Sequence, residues 1–500
     1  MRRITLSLIV PAILGACTLM PHYTRPHSPV PNRWPADTAT GTTEAGAAVD
    51  HGGTRAPAVR GTEIGWNDFF EDPRLKRLIR IALDNNRNLR VAVLNVEASE
   101  AQFRVQRGNL FPAISANGSE LAERFPSNGA LSLGSLGGSQ SNLAVPTGGT
   151  ASTFHYFSAG IGFTNYELDV FGRQRSLTSE AFEQYLAQAE SRRSTQISLV
   201  SEVATDYFAV LADEALVELT EQTLKSETES YDLTRAMYES DTTTLLSLRQ
   251  AESSVDAARA SRSQYQRRLA QDRHALTLVL GEEIPTDLSS GVSLEDEHQL
   301  ADLGPDLPSD LLTRRPDILG AEHTLRAANA DIGAARAAFF PSIQLTASGG
   351  TASGRLQNLF KPGSATWSFT PTITLPIFTG GRNKANLDLA HVEKNVAIAQ
   401  YELAIQTAFR EVSDALSARG TYLEQLEAQK ALVAADSDAY RLAQLRFRQG
   451  VDSYLATLDA QRSLYAAQQA LVSLREAELA NEVTLYKVLG GGWQEHTTPG

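Results

Sequence analysis

The chain is 500 residues long and carries 58 acidic against 45 basic side chains, a formal net charge of −13. Such an acidic balance repels nucleic acid and provides no basic amphipathic helix for anionic lipid. A single cysteine, Cys17, excludes an intramolecular disulfide and a cysteine metal site, and no stretch of the mature chain reaches the roughly 18 apolar residues of a membrane helix.

Met1-Arg2-Arg3 is a basic start, and Ile4 to Leu14 a short apolar run too brief to span a bilayer. Residues 1–16 therefore read as a signal peptide. Leu14-Gly15-Ala16-Cys17 resembles a bacterial lipobox, in which Cys17 becomes the first mature residue and carries a covalent lipid. Thr18 behind it, rather than an aspartate, favours the outer membrane by resemblance to lipoprotein sorting rules. Removing residues 1–16 takes away Arg2 and Arg3 and brings the net charge to about −15. Residues 17–65 form a lipid-anchored extended segment, proline-rich at first and then rich in Thr, Gly and Ala over 38–60.

From Pro73, which suits a first helical turn, a helix is expected to run to Gln106 with a break near Asp84-Asn85-Asn86. Four segments then alternate with period two: Ile114–Phe125, Phe154–Phe171, Ile343–Ser353 and Thr366–Phe378. In the last, Trp367, Phe369, Ile373, Leu375 and Ile377 oppose Ser368, Thr370, Thr372 and Thr374. Segments of about ten residues with one apolar and one polar face are the mark of a transmembrane barrel strand. The first segment is weaker, because Glu120 falls on the parity of Ile114 and Ala116. Four strands cannot close a barrel, and an open edge is not tolerated in lipid, so other copies of the chain must complete it. Two copies would give about eight strands, whose interior side chains fill; three would give about twelve and a conducting lumen.

Each strand pair precedes a long proline-free stretch. From Arg382 to Gln449 lie roughly 68 residues, on the order of 100 Å of helix. A turn at Gly450-Val451-Asp452-Ser453 leads into a second helix, glycine supplying the left-handed conformation that ends the first. The same hairpin occurs over Arg173–Gly281, turning near Ser240-Asp241-Thr242. Sliding the sequence by about 209 positions aligns Tyr231 with Tyr440, Tyr238 with Phe447 and Leu280-Gly281 with Leu489-Gly490. Leu110-Phe111-Pro112 likewise matches Phe339-Phe340-Pro341 ahead of the strands. The chain is thus an internal repeat: residues 66–281 and 313–490 are two copies of helix, two strands and hairpin. A linker over 282–312 joins them, and 491–500 form a C-terminal tail.

The repeated order, the lipobox, Tyr440-Arg441-Leu442, Gln449-Gly450-Val451-Asp452-Ser453-Tyr454-Leu455 and Leu458-Asp459-Ala460-Gln461-Arg462 resemble the TolC-type outer-membrane efflux proteins. Arg314-Arg315-Pro316-Asp317 and Tyr486-Lys487-Val488-Leu489-Gly490-Gly491-Gly492-Trp493 are similar to its NodT-type lipoprotein branch. The resemblance implies an α+β membrane protein: a homotrimeric outer-membrane β-barrel of twelve strands, four from each chain, continued by a long periplasmic α-helical barrel. An equatorial collar would gather the N-terminal extension, residues 282–312 and the tail. The tube would dock on a periplasmic membrane-fusion adaptor coupled to an inner-membrane RND-type pump and conduct drugs or other small molecules passively. A type I protein secretion duct and a non-transport surface lipoprotein are the alternatives.

In that frame Asp452 resembles a periplasmic gate residue, with Arg448 and Tyr454 as neighbours; the same Asp452 reads equally as an N-cap of the second helix. Ser240, Asp241, Thr242, Gln449, Gly450, Val451 and Ser453 would form the adaptor-contact tips. Asp241 stands where the family has a turn glycine, and aspartate enters the left-handed region less readily, so a differently shaped first tip is expected. No catalytic chemistry is read. His155, His274, His323 and His391 are scattered, Gly380-Gly381-Arg382 lacks phosphate-loop spacing, and no nucleophile elbow occurs. Neither a metal nor a cofactor is expected beyond the lipid on Cys17. Only Met20 and Met237 remain after cleavage, few thioethers for a copper or silver exporter.

Overall fold

A computed structural model of the chain describes residues 18–31, 64–125, 130–132, 144–146, 152–288, 292–297 and 314–497. Cys17, the signal peptide and residues 38–60 lie outside them, as do 298–312 of the expected collar. The described residues gather into two compact units. One comprises those within Met1–Thr24, Ser99–Tyr185 and Leu325–Val396, the other those within Arg25–Ala98, Leu186–Thr324 and Ala397–Gly500. Each unit draws on both sequence repeats.

The helices are α1 (Trp66–Phe69), α2 (Pro73–Asn85), α3 (Arg87–Gly108), α4 (Arg173–Glu239), α5 (Leu245–Leu280), α6 (Pro316–Ala337), α7 (Arg382–Arg448) and α8 (Tyr454–Val488). The break expected near Asn86 is a capping event. Asn86 is extended, its Oδ1 accepts the Leu89 N–H at 2.9 Å, and its Nδ2 donates to the Val279 carbonyl at 2.8 Å. Its backbone N–H closes α2 on the Ala82 carbonyl at 2.8 Å, and its side chain opens α3. The duplication holds to the residue at three of the four hairpin bounds: Arg173 against Arg382, Glu239 against Arg448 and Leu245 against Tyr454 share one offset.

The strands β1 (Ser115–Phe125), β4 (Ser152–Leu168), β5 (Ser342–Ser353) and β6 (Ala365–Thr374) form one antiparallel sheet in the order β1-β4-β5-β6, while β2 (Ala130–Ser132) pairs with β3 (Ala144–Pro146). The register sets Ala116, Ile161, Gly349 and Trp367 side by side, and Ser119 beside Ser158. Because side chains alternate across a strand, one face carries Phe157, Ile161, Phe163, Trp367, Phe369 and Ile373. The other carries Ser119, Ser158, Gly160, Gly162, Ser348 and Ser368, with hydroxyl pairs Ser119–Ser158 and Ser348–Ser368 both at 2.8 Å.

Two strands differ from expectation. The second, expected to run unbroken to Phe171, bulges between Phe163 and Tyr166, where Asn165 has φ 56°, and stops at Leu168. The extra residue moves Tyr166 and Leu168 onto the apolar face. The chain turns away because the Asp169 carboxylate accepts the Gln174 and Arg175 N–H groups, both at 3.0 Å, at the start of α4. The fourth strand ends at Thr374 rather than Phe378, since its partner β5 begins at Ser342, opposite Thr374, and offers no backbone beyond it.

In the second unit the core joins distant ends of the chain. Phe69 stacks on Tyr486 with ring centroids 3.9 Å apart, Tyr486 donates to the Ile64 carbonyl at 2.6 Å, and Trp66 N–H donates to the Gln494 carbonyl at 2.9 Å. A Cβ at Gly491 would run into the Tyr486 ring, so the tail can close here only with glycine. The Arg315 singled out in the sequence is buried there too, donating to the Val488 carbonyl at 2.8 Å, to Asp317 at 2.8 Å and to Glu411 at 2.9 Å.

Candidate functional site

Each long hairpin ends in an exposed tip, and the two tips are built alike. At the second, Val451 N–H donates to the Arg446 carbonyl and Gly450 N–H to the Phe447 carbonyl, both at 2.9 Å, with Gly450 at φ 71°. At the first, Thr242 N–H reaches the Met237 carbonyl at 2.9 Å and Asp241 N–H the Tyr238 carbonyl at 3.0 Å, with Asp241 at φ 56°. Both are left-handed helix stops with the same pair of terminal bonds. The expected difference in shape is therefore absent: Asp241 accepts the conformation because the two bonds offset its strain.

The side chains do differ. Asp452 receives Arg446 Nε at 2.5 Å and Nη2 at 3.0 Å. The guanidinium holds the Asp452 carboxyl below the usual aspartate value. Asp452 does not cap α8; Ser453 holds the N-cap position, without a side-chain bond. Arg448, expected beside Asp452, is exposed and outside the pair; Arg446, which sequence reasoning missed, takes that place. The missed signal is the six-residue spacing, which a left-handed stop folds back on itself.

Tyr454 is a second correction. Only 2% exposed, it packs with Ala251, Phe447 and Leu458, its ring 5.5 Å from Phe447. It is buried between the two hairpins just behind the tips. Tyrosines continue this seam: Tyr440 bonds Ser226 at 3.0 Å, Tyr465 bonds Thr220 at 2.8 Å, and Tyr265 accepts from Gln469 at 2.8 Å.

The first long helix carries carboxyl groups withdrawn wholly or in part from solvent: Asp213 and Glu227 are buried, Glu180 and Asp206 half-buried. Desolvation pushes Glu180, Asp213 and Glu227 up to about 7 and Asp206 to about 6. Asp213 is fully buried with Arg268 Nε 3.0 Å away.

In the other unit the apolar sheet face stands open, with Trp367 80% and Ile373 68% exposed. An apolar surface of that kind is an interaction face. No described helix is long and apolar enough to cross a membrane. Residues 19–23, just after Cys17, pack on α6 in this unit. Asn329 donates to the Pro21 carbonyl at 2.9 Å, Arg336 to the Leu19 carbonyl at 3.3 Å, and the Arg326 guanidinium lies 5.1 Å from the Tyr23 ring centroid.

A sequence profile described as outer membrane efflux protein matches residues 78–282 and 307–491. The toluene efflux pump outer membrane protein TtgC of Pseudomonas putida is 50% identical over 498 residues, 99% of this chain and 97% of that protein. The antibiotic efflux pump outer membrane protein ArpC of Pseudomonas putida matches at the same 50% over 498 residues, with 99% and 97% covered. Among solved structures, the open state of the Neisseria gonorrhoeae MtrE outer membrane channel is similar with a TM-score of 0.83 and 37% identity, covering 97% of this chain and 100% of that one.

Proposed function

The chain belongs to the outer membrane efflux protein family, and we propose that it is the exit channel of a tripartite RND-type efflux system, carrying antibiotics and aromatic solvents outward without catalysis. The observation that carries this reading is the sheet: β1 and β6 stand at its two ends, and one face is lined by Ile161, Phe163, Trp367, Phe369 and Ile373. In hydrocarbon every unpaired N–H and C=O is costly, so an open sheet cannot stand in a bilayer alone. Three copies pairing β1 to β6 in a ring remove both edges and leave twelve strands around a lumen. The Ser/Gly face then lines the water, and the Trp367 face meets lipid.

Solutes and energy come from elsewhere. Relatives named for toluene and antibiotic efflux support the substrate class and disfavour a protein-secretion duct or a mere surface lipoprotein. Ser240, Asp241, Thr242, Gln449, Gly450, Val451 and Ser453 are all exposed or partly exposed, as contacts for a periplasmic membrane-fusion adaptor must be; the adaptor leads to an inner-membrane pump. At rest the path is shut at the tips. Three Asp452–Arg446 pairs around the axis brace the second tip, a charged ring of the kind that bars a constriction. A lipid on Cys17 tethers the chain, a reading supported by the packing of residues 19–23 in the same unit as the sheet.

Cysteine pairs test the ring: Ser115, Asn117 or Ser119 of β1 is changed to Cys together with Thr370→Cys in β6, and whole cells are oxidised. A ladder ending at three linked chains is expected; one that stops at two, or never forms, refutes the closure. A deletion strain whose antibiotic susceptibility is unchanged would refute the transport role. Labelled palmitate should enter the natural chain and not Cys17→Ser.

A further inference from the structure

The sheet is not of one depth. β5 ends at Ser353, paired with Phe157, whereas β4 and β1 continue together as a two-stranded ribbon in which Leu121 faces Tyr156, Glu123 faces Phe154 and Arg124 faces Thr153. Along this ribbon the make-up of the two faces changes. The face that carries Ile161 lower down gains Glu120 beside Phe157 and then His155 and Arg124, with His155 Nδ1 3.1 Å from Glu120 Oε1. A side-chain set of that kind belongs in water or headgroups, so the ribbon has left the hydrocarbon. This also explains why Glu120 spoils the alternation read from the sequence.

The opposite face changes the other way. Through the sheet it is hydroxyl and bare backbone: Ser119, Ser158, Ser348, Ser368, and glycines at 160, 162 and 350. A Cβ at Gly162 would collide with the Ala347 carbonyl, and one at Gly350 with the Ala159 carbonyl, so this wall is kept bare by close backbone contact. On the ribbon the same face turns to Leu121, Tyr156 and Phe154, with Glu123 at its outer end opposite Phe154, the two rings 6.4 Å apart and within 16° of parallel. Lipid cannot be what covers these side chains, because the outward face at that level is charged. They continue the wall that faces the lumen.

We infer that Leu121, Phe154 and Tyr156 form an apolar collar at the outer mouth of the channel that contacts aromatic solutes as they leave, making them specificity-determining residues for export. The inference rests on the exit-channel reading above, with the Ser/Gly face inward. Its occupant is set by position: after a hydrophilic wall, flat apolar solutes first meet matching surface at these rings, whose faces and edges favour aromatic partners.

The test uses a deletion strain complemented with the full chain, with outer-membrane levels checked by immunoblot. The variant Phe154→Ser with Tyr156→Ser extends the hydroxyl wall to the rim, and Phe154→Leu with Tyr156→Leu keeps it apolar. Toluene tolerance should fall about twofold to tenfold in the serine variant, the range that one lost aromatic contact spans. Tolerance to a hydrophilic antibiotic should stay at the wild-type level, and the leucine variant should retain most toluene tolerance. The collar is overturned if both tolerances fall together, if neither moves, or if antibiotic leak and bilayer conductance rise as for a gate. Should the wild-type chain itself restore neither tolerance, the exit-channel reading fails and the collar with it.

Discussion

The two hairpins share a backbone and little else. Their helix bounds keep one offset at three of four ends, and both tips close with the same pair of left-handed terminal bonds. Yet Arg446 and Asp452 at the second tip stand opposite Met237 and Thr243 at the first. The half-buried acids Glu180 and Asp206 and the buried Asp213 of α4 correspond to Leu389, Ala415 and Tyr422 of α7. Duplication preserves what hydrogen bonding and helix length impose, while side chains diverge wherever packing permits. The second tip carries the Arg446–Asp452 pair and the first long helix a set of desolvated carboxyls, so the copies are equivalent as struts and different as chemistry.

The sharpest way to break that equivalence is at the first residue of each returning helix. Tyr454 is buried and its counterpart Leu245 is 50% exposed. Tyr454→Ala should destabilise the protein by about 3–5 kcal/mol by thermal unfolding in detergent, and Leu245→Ala by no more than about 0.5 kcal/mol. Tyr454→Phe removes a buried hydroxyl that lacks a hydrogen-bond partner and should be neutral or slightly stabilising. Equal losses for the two alanine variants would mean that the seam behind the tips is not as described.

Next come the turn residues. Gly450→Val forces a branched side chain to φ 71° and should cost about 1–2 kcal/mol. Gly450→Asp should cost less, since Asp241 already holds that conformation at the first tip.

The carboxyl set predicts a pH effect that the second helix alone would not produce. Glu180, Asp206, Asp213 and Glu227 have folded-state values raised to about 6–7 from ordinary values of 3.8 and 4.5. A raised value means that the stabilising contribution is complete below the ordinary value and is lost as pH rises through the folded one. The melting temperature should therefore rise as pH falls from 8 to 5, and Asp213→Asn with Glu227→Gln should flatten that slope.

The smallest stability effect, and the most informative, belongs to the exposed Arg446–Asp452 pair. Arg446→Ala should leave the melting temperature unchanged, as surface pairs contribute little, while raising bilayer conductance and antibiotic leak. Met237→Ala at the first tip should change neither conductance nor leak. Because the Asp452 value is lowered, the pair persists above the ordinary 3.8 and is lost only as pH falls through the lower value. Conductance should thus stay flat across neutral and mildly acid pH.

Much of the molecule was legible in order of residues. The repeat, the four strands, the helix bounds and the tips follow from periodicity and punctuation, which are local properties: an alternating face, a proline or an asparagine speaks for its own few positions. Asn86, Gly450 and the Trp367 stripe act where they are written. What the order of residues could not decide is which neighbours a fold brings together. The partner of Asp452 is Arg446 because a left-handed stop reverses the chain between them. Tyr454 turns inward because α5 lies across it, and Tyr486 meets Ile64 from the far end of the chain. Glu120 sits beside His155 only once β1 and β4 are paired in register. Local rules determined the elements; burial and pairing, which depend on distant residues, were settled by the tertiary structure alone.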